Sequence, residues 1–323
     1  MRPPEDSVRE ITAYLRRSVS GSPDRLYEAA THLIEHGGKR LRPYMLIQTC
    51  QMLGGGMRDA MAAAGAVEMI HNFSLVHDDI MDNDETRHGV PTTHVKYGTP
   101  LAILAGDTLF SKAYRTLSES PLDPRTRADL VYRLSGACVD ICEGQWMDIA
   151  MSMSDAVPQP SEYVAMIRKK TSALFEVSCS MGAVCAGADA QDVSNAASFG
   201  LNMGTAFQIT DDLLGVVGDP AITKKPVGND IREGKKSLPI LMALEEAKPG
   251  DRDAILGVFG RRDAPAESAD AAVRAIRRMG IEETVRNRAA SYADAARRSL
   301  AKYDGVHRQN LESLLEFVVK RSL

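Results

Sequence analysis

The chain has 323 residues, of which 43 are acidic and 39 are basic, so its formal net charge at pH 7 is −4. This near-balance and an isoelectric point of about 6.0 exclude a global basic field, and aromatic residues make up only 5%. We therefore expect no nucleic-acid partner. No apolar stretch is long enough to span a bilayer and the N-terminus has no apolar leader core, so we expect no stable membrane insertion and a cytoplasmic location.

The five cysteines are odd in number and contain no CxxC pair. Cys138 and Cys142 lie one helical turn apart, without nearby ligands at a zinc-site spacing. We interpret the cysteines as reduced core residues, which agrees with a cytoplasmic protein.

Helical periodicity covers almost the whole chain, and no alternating strand pattern flanked by turn residues stands out. The first predicted helix begins at Ser22-Pro23-Asp24, with Ser22 as N-cap, and ends at Gly37-Gly38. Further helices are predicted at about 40–53, 57–82, 98–119, 124–150, 161–186, 191–217, 236–247, 265–279, 281–303 and 306–321. We therefore predict an all-α fold forming one domain over residues 1–323.

Two acidic clusters occur where they destabilise a helix. Asp78, Asp79 and Asp82 close the helix predicted to end near residue 82, and Asp211 and Asp212 lie near the end of another helix. Acids at a helix C-terminus oppose the macrodipole, and Asp78 and Asp82 repel each other across one turn. One such cluster is usually solvated surface, but two favour Mg²⁺ sites, because Mg²⁺ removes the repulsion and also binds phosphate oxygens.

Basic groups that suit a diphosphate ligand lie close to the glycines and acids. Arg guanidinium groups can bind two phosphate oxygens at once, whereas Lys acts as a point charge. The groups are Lys39-Arg40-Leu41-Arg42 after the Gly pair, Arg87-His88, Lys169-Lys170-Thr171, Lys224-Lys225 and Lys235-Lys236. His71 lies two turns before Asp78 on the same face, a position that by itself is more often structural.

Taken together, these motifs resemble the trans-prenyl diphosphate synthase (polyprenyl synthetase) family over nearly all of residues 30–245. A lone DDxxD would be weak, but the ordered series is specific. It comprises GGKRLRP at 37–43, VEMIHNFSLVHDDIMD at 67–82, RHGVPTTH at 87–94, AGD at 105–107, EGQ at 143–145, KT at 170–171, FQITDD at 207–212 and KPVGNDIREGKKS at 225–237.

The resemblance implies a single large antiparallel bundle of the isoprenoid synthase type around a central cavity, usually as a homodimer. It implies Mg²⁺, three ions per active site with substrate bound, held by the two aspartate clusters. It assigns isopentenyl diphosphate to Lys39, Arg42, His71 and His88, and the allylic diphosphate to Arg87, Lys170, Lys225 and Lys235. Thr171 and Gln208, with Lys170, match the residues at the reacting carbons.

Three positions depart from the family pattern. The second aspartate motif usually ends in a third aspartate, where this chain has Gly215, with Asp219 one turn further on. His88 replaces the second of two arginines, and Lys224 replaces a glycine. We interpret Gly215 as a variant of active enzymes.

Product length is predicted from the helix that carries the first motif. In the family, a bulky residue five before the first aspartate blocks the cavity, and Phe73 occupies that position, with small Ser74 beside it and Ile70 one turn below. This resembles geranylgeranyl (C20) synthases, with farnesyl (C15) as the alternative. A terpene cyclase would not need GGKRLRP, and a noncatalytic regulatory subunit, the alternative of a different class, often loses aspartates that persist here.

Overall fold

The computed structural model describes residues 3–154, 156–218 and 228–320. It confirms the all-α prediction, since strands in this described part are limited to one two-stranded ribbon, β1 (Thr86–Arg87) and β2 (Val90–Pro91). The helices, in chain order, are α1 (Glu5–Ser18), α2 (Asp24–His36), α3 (Leu41–Met52), α4 (Met57–Met81), α5 (Thr93–Tyr97), α6 (Thr99–Ser118), α7 (Pro124–Met153), α8 (Pro160–Ile167), a π-helical turn (Arg168–Ser172), α9 (Ala173–Cys185), α10 (Ala190–Val217), α11 (Asn229–Arg232), α12 (Leu238–Glu246), α13 (Pro249–Leu256), α14 (Ala266–Arg278), α15 (Ile281–Ser299) and α16 (Val306–Lys320).

The chain divides into two compact units. Unit 1 comprises Met1–Cys138, Leu174–Ser198 and Leu300–Leu314. Within it, α4 packs against α1, α2, α3, α5 and α6. Residues 62–70 of α4 are all buried, and small residues allow close neighbours: a Cβ on Gly65 would overlap the ring of Tyr14. A helix buried on all sides fixes the direction of its C-terminal end, where the first aspartates lie.

Unit 2 comprises Val139–Ala173, Phe199–Ser299 and Leu315–Leu323. Its core combines apolar side chains of α8, α10, α11, α12, α14 and α15, including Ile209, Leu213, Ile231, Leu241 and Ile276. Ile209 and Leu213 are one turn apart on α10, so they anchor the face opposite to the exposed Asp211. The prediction of one domain over residues 1–323 remains a prediction.

The structure corrects several predicted elements. The helix predicted over 161–186 is interrupted by the π-helical turn, which hydrophobic periodicity does not reveal. Ser22 is not an N-cap, because α2 begins at Asp24 with Pro23 at the cap position and no side-chain cap. Helix α1 was not predicted, although its acidic first turn, basic last turn and buried Ile11 and Leu15 are typical signals. The short helices α5, α11 and α13 were also missed.

No helix in the described ranges has both the length and the apolar character needed to cross a bilayer.

Candidate active site

The first acidic cluster ends α4 in unit 1. The amide of Asp82 donates to the carbonyl of Asp78 over 2.8 Å, closing the helix. Asp79 is fully buried and forms an ion pair with Arg87, with 2.5 Å between Nε and Oδ1. Its Oδ2 is buried without a hydrogen-bond partner. Burial raises the pKa of Asp79 and Asp84 adds to this effect, while the charge and hydrogen bond of Arg87 oppose it.

The β1–β2 ribbon brings Arg87 to this cluster. Thr86 pairs with Pro91 and Arg87 with Val90, so the turn consists of His88 and Gly89. Both have positive φ, 54° and 81°, as a tight two-residue hairpin turn requires. The ribbon therefore places Arg87 against Asp79.

A cationic group lies further back along α4. The Nη1 of Arg42 donates to His71 Nε2 over 3.3 Å. The Arg42 guanidinium lies 4.3 Å from the centre of the Phe175 ring. Burial lowers the pKa of Arg42 to about 10, with Glu68 opposing. Burial also holds the pKa of His71 well below its ordinary value, followed by the charges of Arg42, Arg40, Arg87 and His88. His71 is therefore a neutral acceptor at pH 7.

The loop before α3 presents this group. Arg40 has φ 51° and is buried, with its Nη1 2.8 Å from Glu68 Oε1. Arg40 also donates to the carbonyl of Ile34. The pair fixes the end of the loop that carries Lys39 and the start of α3, which carries Arg42. The sequence analysis grouped Arg40 with the cations that suit a diphosphate ligand, whereas its guanidinium forms an ion pair with the buried carboxylate of Glu68.

His88 lies against the same loop, because a Cβ on Gly37 would lie 2.7 Å from the His88 ring. Partial desolvation lowers the pKa of His88, and the charges of Arg87, Arg40 and Lys39 lower it further. The structure thus brings Lys39, Arg42, His71, Arg87 and His88 into electrostatic range within unit 1.

The second acidic cluster belongs to unit 2. The hydroxyl of Thr171 donates to Gln208 Oε1 over 3.0 Å, and the amide of Gln208 donates to Asp212 Oδ1 over 2.9 Å. Asp212 Oδ2 is buried without a hydrogen-bond partner. Burial raises the pKa of Asp212 well above its ordinary value; Asp230 and Asp148 raise it further, and Lys235 opposes them. The structure therefore joins three predicted residues in one hydrogen-bonded chain.

Two predicted lysines of unit 2 have carboxylate partners that the sequence analysis did not assign. Lys170 Nζ lies 2.5 Å from Asp148 Oδ2, and Lys235 Nζ lies 3.0 Å from Glu233 and 3.4 Å from Asp230. Burial lowers the pKa of Lys235, but Asp230 and Glu233 outweigh this and raise it. Asp148 follows EGQ by one turn and Asp230 lies within KPVGNDIREGKKS. The positions of these two motifs could therefore have indicated both carboxylate partners from the sequence.

Gly215, the departure from the second motif, is in contact with Asp230. A Cβ on Gly215 would overlap the carboxylate of Asp230. The carboxylate of Asp230 on α11 therefore occupies the space that a side chain at position 215 would need. Lys225, together with Lys224 and Asp219, lies outside the described residues.

The carboxylates fit Mg²⁺ as ligands that share the ion with a phosphate. Asp79 and Asp212 each keep one buried oxygen without a hydrogen-bond partner. In the described part of the chain, no three His, Cys, Asp or Glu side chains lie close enough to hold a metal by themselves. Mg²⁺ commonly takes one or two carboxylates and completes its shell with water and substrate phosphate.

The predicted chain-length residues lie on α4 within unit 1. Ile70 is fully buried. The Phe73 ring lies 5.2 Å from that of Phe110 on α6 and 4.7 Å from that of His77, in edge-on geometry. The Ser74 hydroxyl donates to the carbonyl of His71 over 2.9 Å. The sequence analysis did not identify Phe110, which packs against Phe73 from α6.

Comparison with known proteins identifies the family. The family model described as polyprenyl synthetase matches residues 23–276. The chain is 39% identical over 322 residues to a geranylgeranyl diphosphate synthase of Sulfolobus acidocaldarius, covering 97% of this chain and 96% of the relative. It is 41% identical over 320 residues to a geranylfarnesyl diphosphate synthase of Aeropyrum pernix, covering 96% and 99%. A crystal structure of geranylgeranyl pyrophosphate synthetase from Pyrococcus horikoshii superposes with a TM-score of 0.92 at 35% identity, covering 98% and 96%. The chain belongs to the polyprenyl synthetase family, whose members are prenyl diphosphate synthases.

Proposed function

We propose that this chain is a Mg²⁺-dependent geranylgeranyl diphosphate synthase that condenses isopentenyl diphosphate with allylic diphosphates. The observation that carries the proposal is the composition of unit 1 around the end of α4. A cationic group (Arg42 with neutral His71) and an acidic group (Asp79 with Arg87) occur on the same helix. Two diphosphates of different reactivity need these two kinds of binding group.

In this proposal Lys39, Arg42, His71 and His88 bind isopentenyl diphosphate directly. The guanidinium of Arg42 already donates to a neutral ring, so a diphosphate oxygen is a stronger acceptor for it. No metal is needed there, because the diphosphate of isopentenyl diphosphate does not leave.

The allylic diphosphate is assigned to Arg87, Lys170, Lys235 and Lys225, with Asp78, Asp79, Asp82, Asp211 and Asp212 as the residues that would hold Mg²⁺. Mg²⁺ held by these carboxylates would neutralise the departing diphosphate and so favour cleavage of the allylic C–O bond. The lysine and arginine cations stabilise the same developing negative charge.

The chain's other task is to orient the two organic groups and exclude water. Thr171 and Gln208 hold each other through a hydrogen bond, which fixes two neutral oxygens, and we assign these oxygens to the surroundings of the allylic carbon. The isopentenyl double bond attacks that carbon, and the proton that it loses passes to the released diphosphate. Orientation and exclusion of water protect the reactive carbocation from hydrolysis.

The C20 product rests on Phe73 with Ser74, and on relatives named as geranylgeranyl diphosphate synthases. The A. pernix relative carries the name of a C25 synthase, and C15 remains the sequence-based alternative. We propose a homodimer, because α7 exposes Tyr132, Val139, Trp146 and Met153 at seven-residue intervals. We also keep a single domain and a cytoplasmic location, where the free cysteines stay reduced.

The test is incubation of the purified chain with radiolabelled isopentenyl diphosphate, Mg²⁺ and dimethylallyl, geranyl or farnesyl diphosphate in turn. Chromatography of the dephosphorylated products should give C20 as the main species, and chelation of the metal should abolish it. A C15 or C25 main product would correct the length alone. Absence of any elongated product would favour a regulatory subunit, and a cyclic hydrocarbon would favour a cyclase.

A further inference from the structure

Helix α7 carries the EGQ motif, residues 143–145, to which the proposed function assigns no role. Gly144 is buried and faces the π-helical turn Arg168–Ser172. A Cβ on Gly144 would lie 2.7 Å from the Cα of Lys170 and 2.8 Å from the carbonyl carbon of Lys169. These are backbone atoms, so no side-chain rotation relieves the overlap.

The neighbours of Gly144 on α7 bind the same turn through its lysines. Lys169 Nζ donates to Asp140 over 2.7 Å and to Glu143 over 2.5 Å. One turn further along α7, Asp148 accepts from Lys170 over 2.5 Å. Residues 140–148, which we call the α7 contact segment, therefore touch the turn through backbone at the centre and ion pairs on both sides.

The turn itself departs from α-helical geometry at the residues proposed to meet the substrate. The amide of Ala173 donates to the carbonyl of Arg168, five residues earlier. The hydroxyl of Ser172 donates to the carbonyl of Ile167 over 3.3 Å and lies 3.0 Å from Thr205 Oγ1. A single π turn inside a helix is uncommon, is often found at functional positions and needs support from its surroundings.

We propose that the α7 contact segment holds the π-helical turn in place, with Gly144 as a positioning residue for Lys170 and Thr171. The inference rests on the proposed function, since the positioned side chains are those assigned to the allylic substrate. A methyl group at 144 would push the turn away from α7. It would thereby move Lys170 from Asp148 and Thr171 from Gln208, without removing any of these side chains.

The test compares Gly144→Ala with Gly136→Ala, a matched control on the same helix. Gly136 is exposed in the single chain and a Cβ there would meet none of its atoms within 4 Å. Because Gly136 lies one turn from Tyr132 on the proposed dimer face, size-exclusion chromatography first verifies that the variant keeps the wild-type oligomeric state; the change should then leave kinetics unaltered and the Tm unchanged or slightly higher. For Gly144→Ala we expect kcat to fall about 100-fold, as for a displacement of about 1 Å at a reacting centre. The KM for the allylic diphosphate should rise, while the KM for isopentenyl diphosphate stays within twofold, about the scatter of such measurements.

A second readout requires no turnover. Binding of inorganic pyrophosphate in the presence of Mg²⁺, measured by calorimetry, should weaken in Gly144→Ala and not in Gly136→Ala. If the wild-type chain makes no prenyl product, the proposed function fails, yet this measurement still decides the positioning role. Wild-type kinetics and wild-type pyrophosphate affinity in folded Gly144→Ala would overturn the inference.

If Gly144→Ala does not fold, the Lys169→Met variant tests whether the α7 contact segment positions the π-helical turn. It removes both ion pairs from a partly exposed side chain and leaves packing intact. We expect a few-fold higher allylic KM with an unchanged Tm, and recovery in Lys169→Arg, which keeps the cation; effects of this size are usual for exposed ion pairs. Unchanged allylic KM and pyrophosphate affinity in Lys169→Met would then overturn the proposal.

Discussion

Helices α4 and α10 each carry paired aspartates near the C-terminal end, but the surroundings of the two pairs differ in charge. Asp79 of α4 has an arginine in direct contact, supplied by a hairpin that returns to the helix. Asp212 of α10 accepts instead from the neutral amide of Gln208. Its electrostatic neighbours include two further carboxylates, Asp230 and Asp148, against one lysine, Lys235.

The difference shows that the same sequence pattern, paired aspartates near a helix C-terminus, occurs in two different electrostatic environments. At α4 the resident cation offsets part of the cost of burying a carboxylate, although burial still raises the pKa of Asp79. At α10 burial and like charges dominate, so the carboxylate gains most from a cation that arrives with the substrate. We therefore expect the α4 cluster of unit 1 to be better ordered before binding, and the α10 cluster of unit 2 to respond more to Mg²⁺.

The largest expected effect separates the two aspartates by activity. Asp79→Ala should lower kcat by roughly 10³-fold, because it removes a proposed Mg²⁺ ligand and leaves Arg87 without its partner. Asp212→Ala should cost about 10²-fold, the lower end of the range for one electrostatic group in an active site. Steady-state kinetics with circular dichroism as the folding control will measure both. Near-normal activity of Asp79→Ala would remove the metal assignment, and equal losses would remove the distinction between the two ends.

The second comparison separates the cations by substrate. Arg42→Ala should raise the KM for isopentenyl diphosphate by about 10- to 100-fold, the usual cost of losing a charge-assisted contact. Lys39→Ala should act in the same direction. Lys235→Ala should raise the KM for the allylic diphosphate instead. If Arg42→Ala changed only the allylic KM, the two diphosphate sites would be exchanged in our assignment.

Phe73 tests whether the α4 region also sets product length. Phe73→Ala removes one side of the ring contact with Phe110, so the product should lengthen to C25 or beyond, because an apolar void accepts hydrocarbon. Ser74→Phe is the opposite change and should give C15. Product chromatography of both variants is the measurement. If Phe73 is an ordinary core residue, C20 will persist from both and Phe73→Ala will instead lose up to about 3–5 kcal/mol of stability.

A smaller effect on stability distinguishes the two carboxylates without substrate. The folded state raises the pKa of Asp212, so it binds more protons than the unfolded chain at pH values between the ordinary value of 3.8 and the raised one. The free energy of unfolding therefore falls as pH rises through that interval. Asp212→Asn should raise the Tm at pH 8 without Mg²⁺ by a few degrees, about the shift expected for 1 kcal/mol in a large domain, and should match wild type at pH 4.

Asp79→Asn is the matched comparison for this stability test. Burial also raises the pKa of Asp79, but Arg87 opposes that rise, so the gain in Tm at pH 8 should be smaller for Asp79→Asn than for Asp212→Asn. Thermal denaturation across the pH range measures both variants, and identical pH profiles would contradict the electrostatic difference between α4 and α10.

The smallest expected effect concerns His88. Partial desolvation and three neighbouring cations lower the pKa of His88, so its cationic form accumulates only below the ordinary pKa of about 6.5. The KM for isopentenyl diphosphate should fall a few-fold in His88→Arg at pH 7.5, since one charge-assisted contact at an exposed position has a modest effect. The wild-type KM should approach that of the variant as pH decreases. Because the substrate's own titration affects both proteins equally, parallel pH profiles would show that His88 points away from the diphosphate.

The sequence determined the all-α fold, the family and the identity of the charged motifs. Helical periodicity reports burial along a single element, and like charges at a helix end are unfavourable in any fold, so both signals are local. Local signals could not associate Thr171 with Gln208, because 37 residues separate these two hydrogen-bond partners. Only the family resemblance assigned both residues to the active site.

Tertiary structure decided which charges are already paired and where the helices deviate from regular geometry. Arg40 resembles Arg42 in sequence, yet it is neutralised by Glu68, 28 residues away. The π-helical turn leaves no periodic trace in the sequence, and only the folded chain brings the backbone of Lys169 and Lys170 into close contact with Gly144. Both outcomes arise from contacts between distant segments, and the burial that makes such pairs strong exists only after the chain has folded.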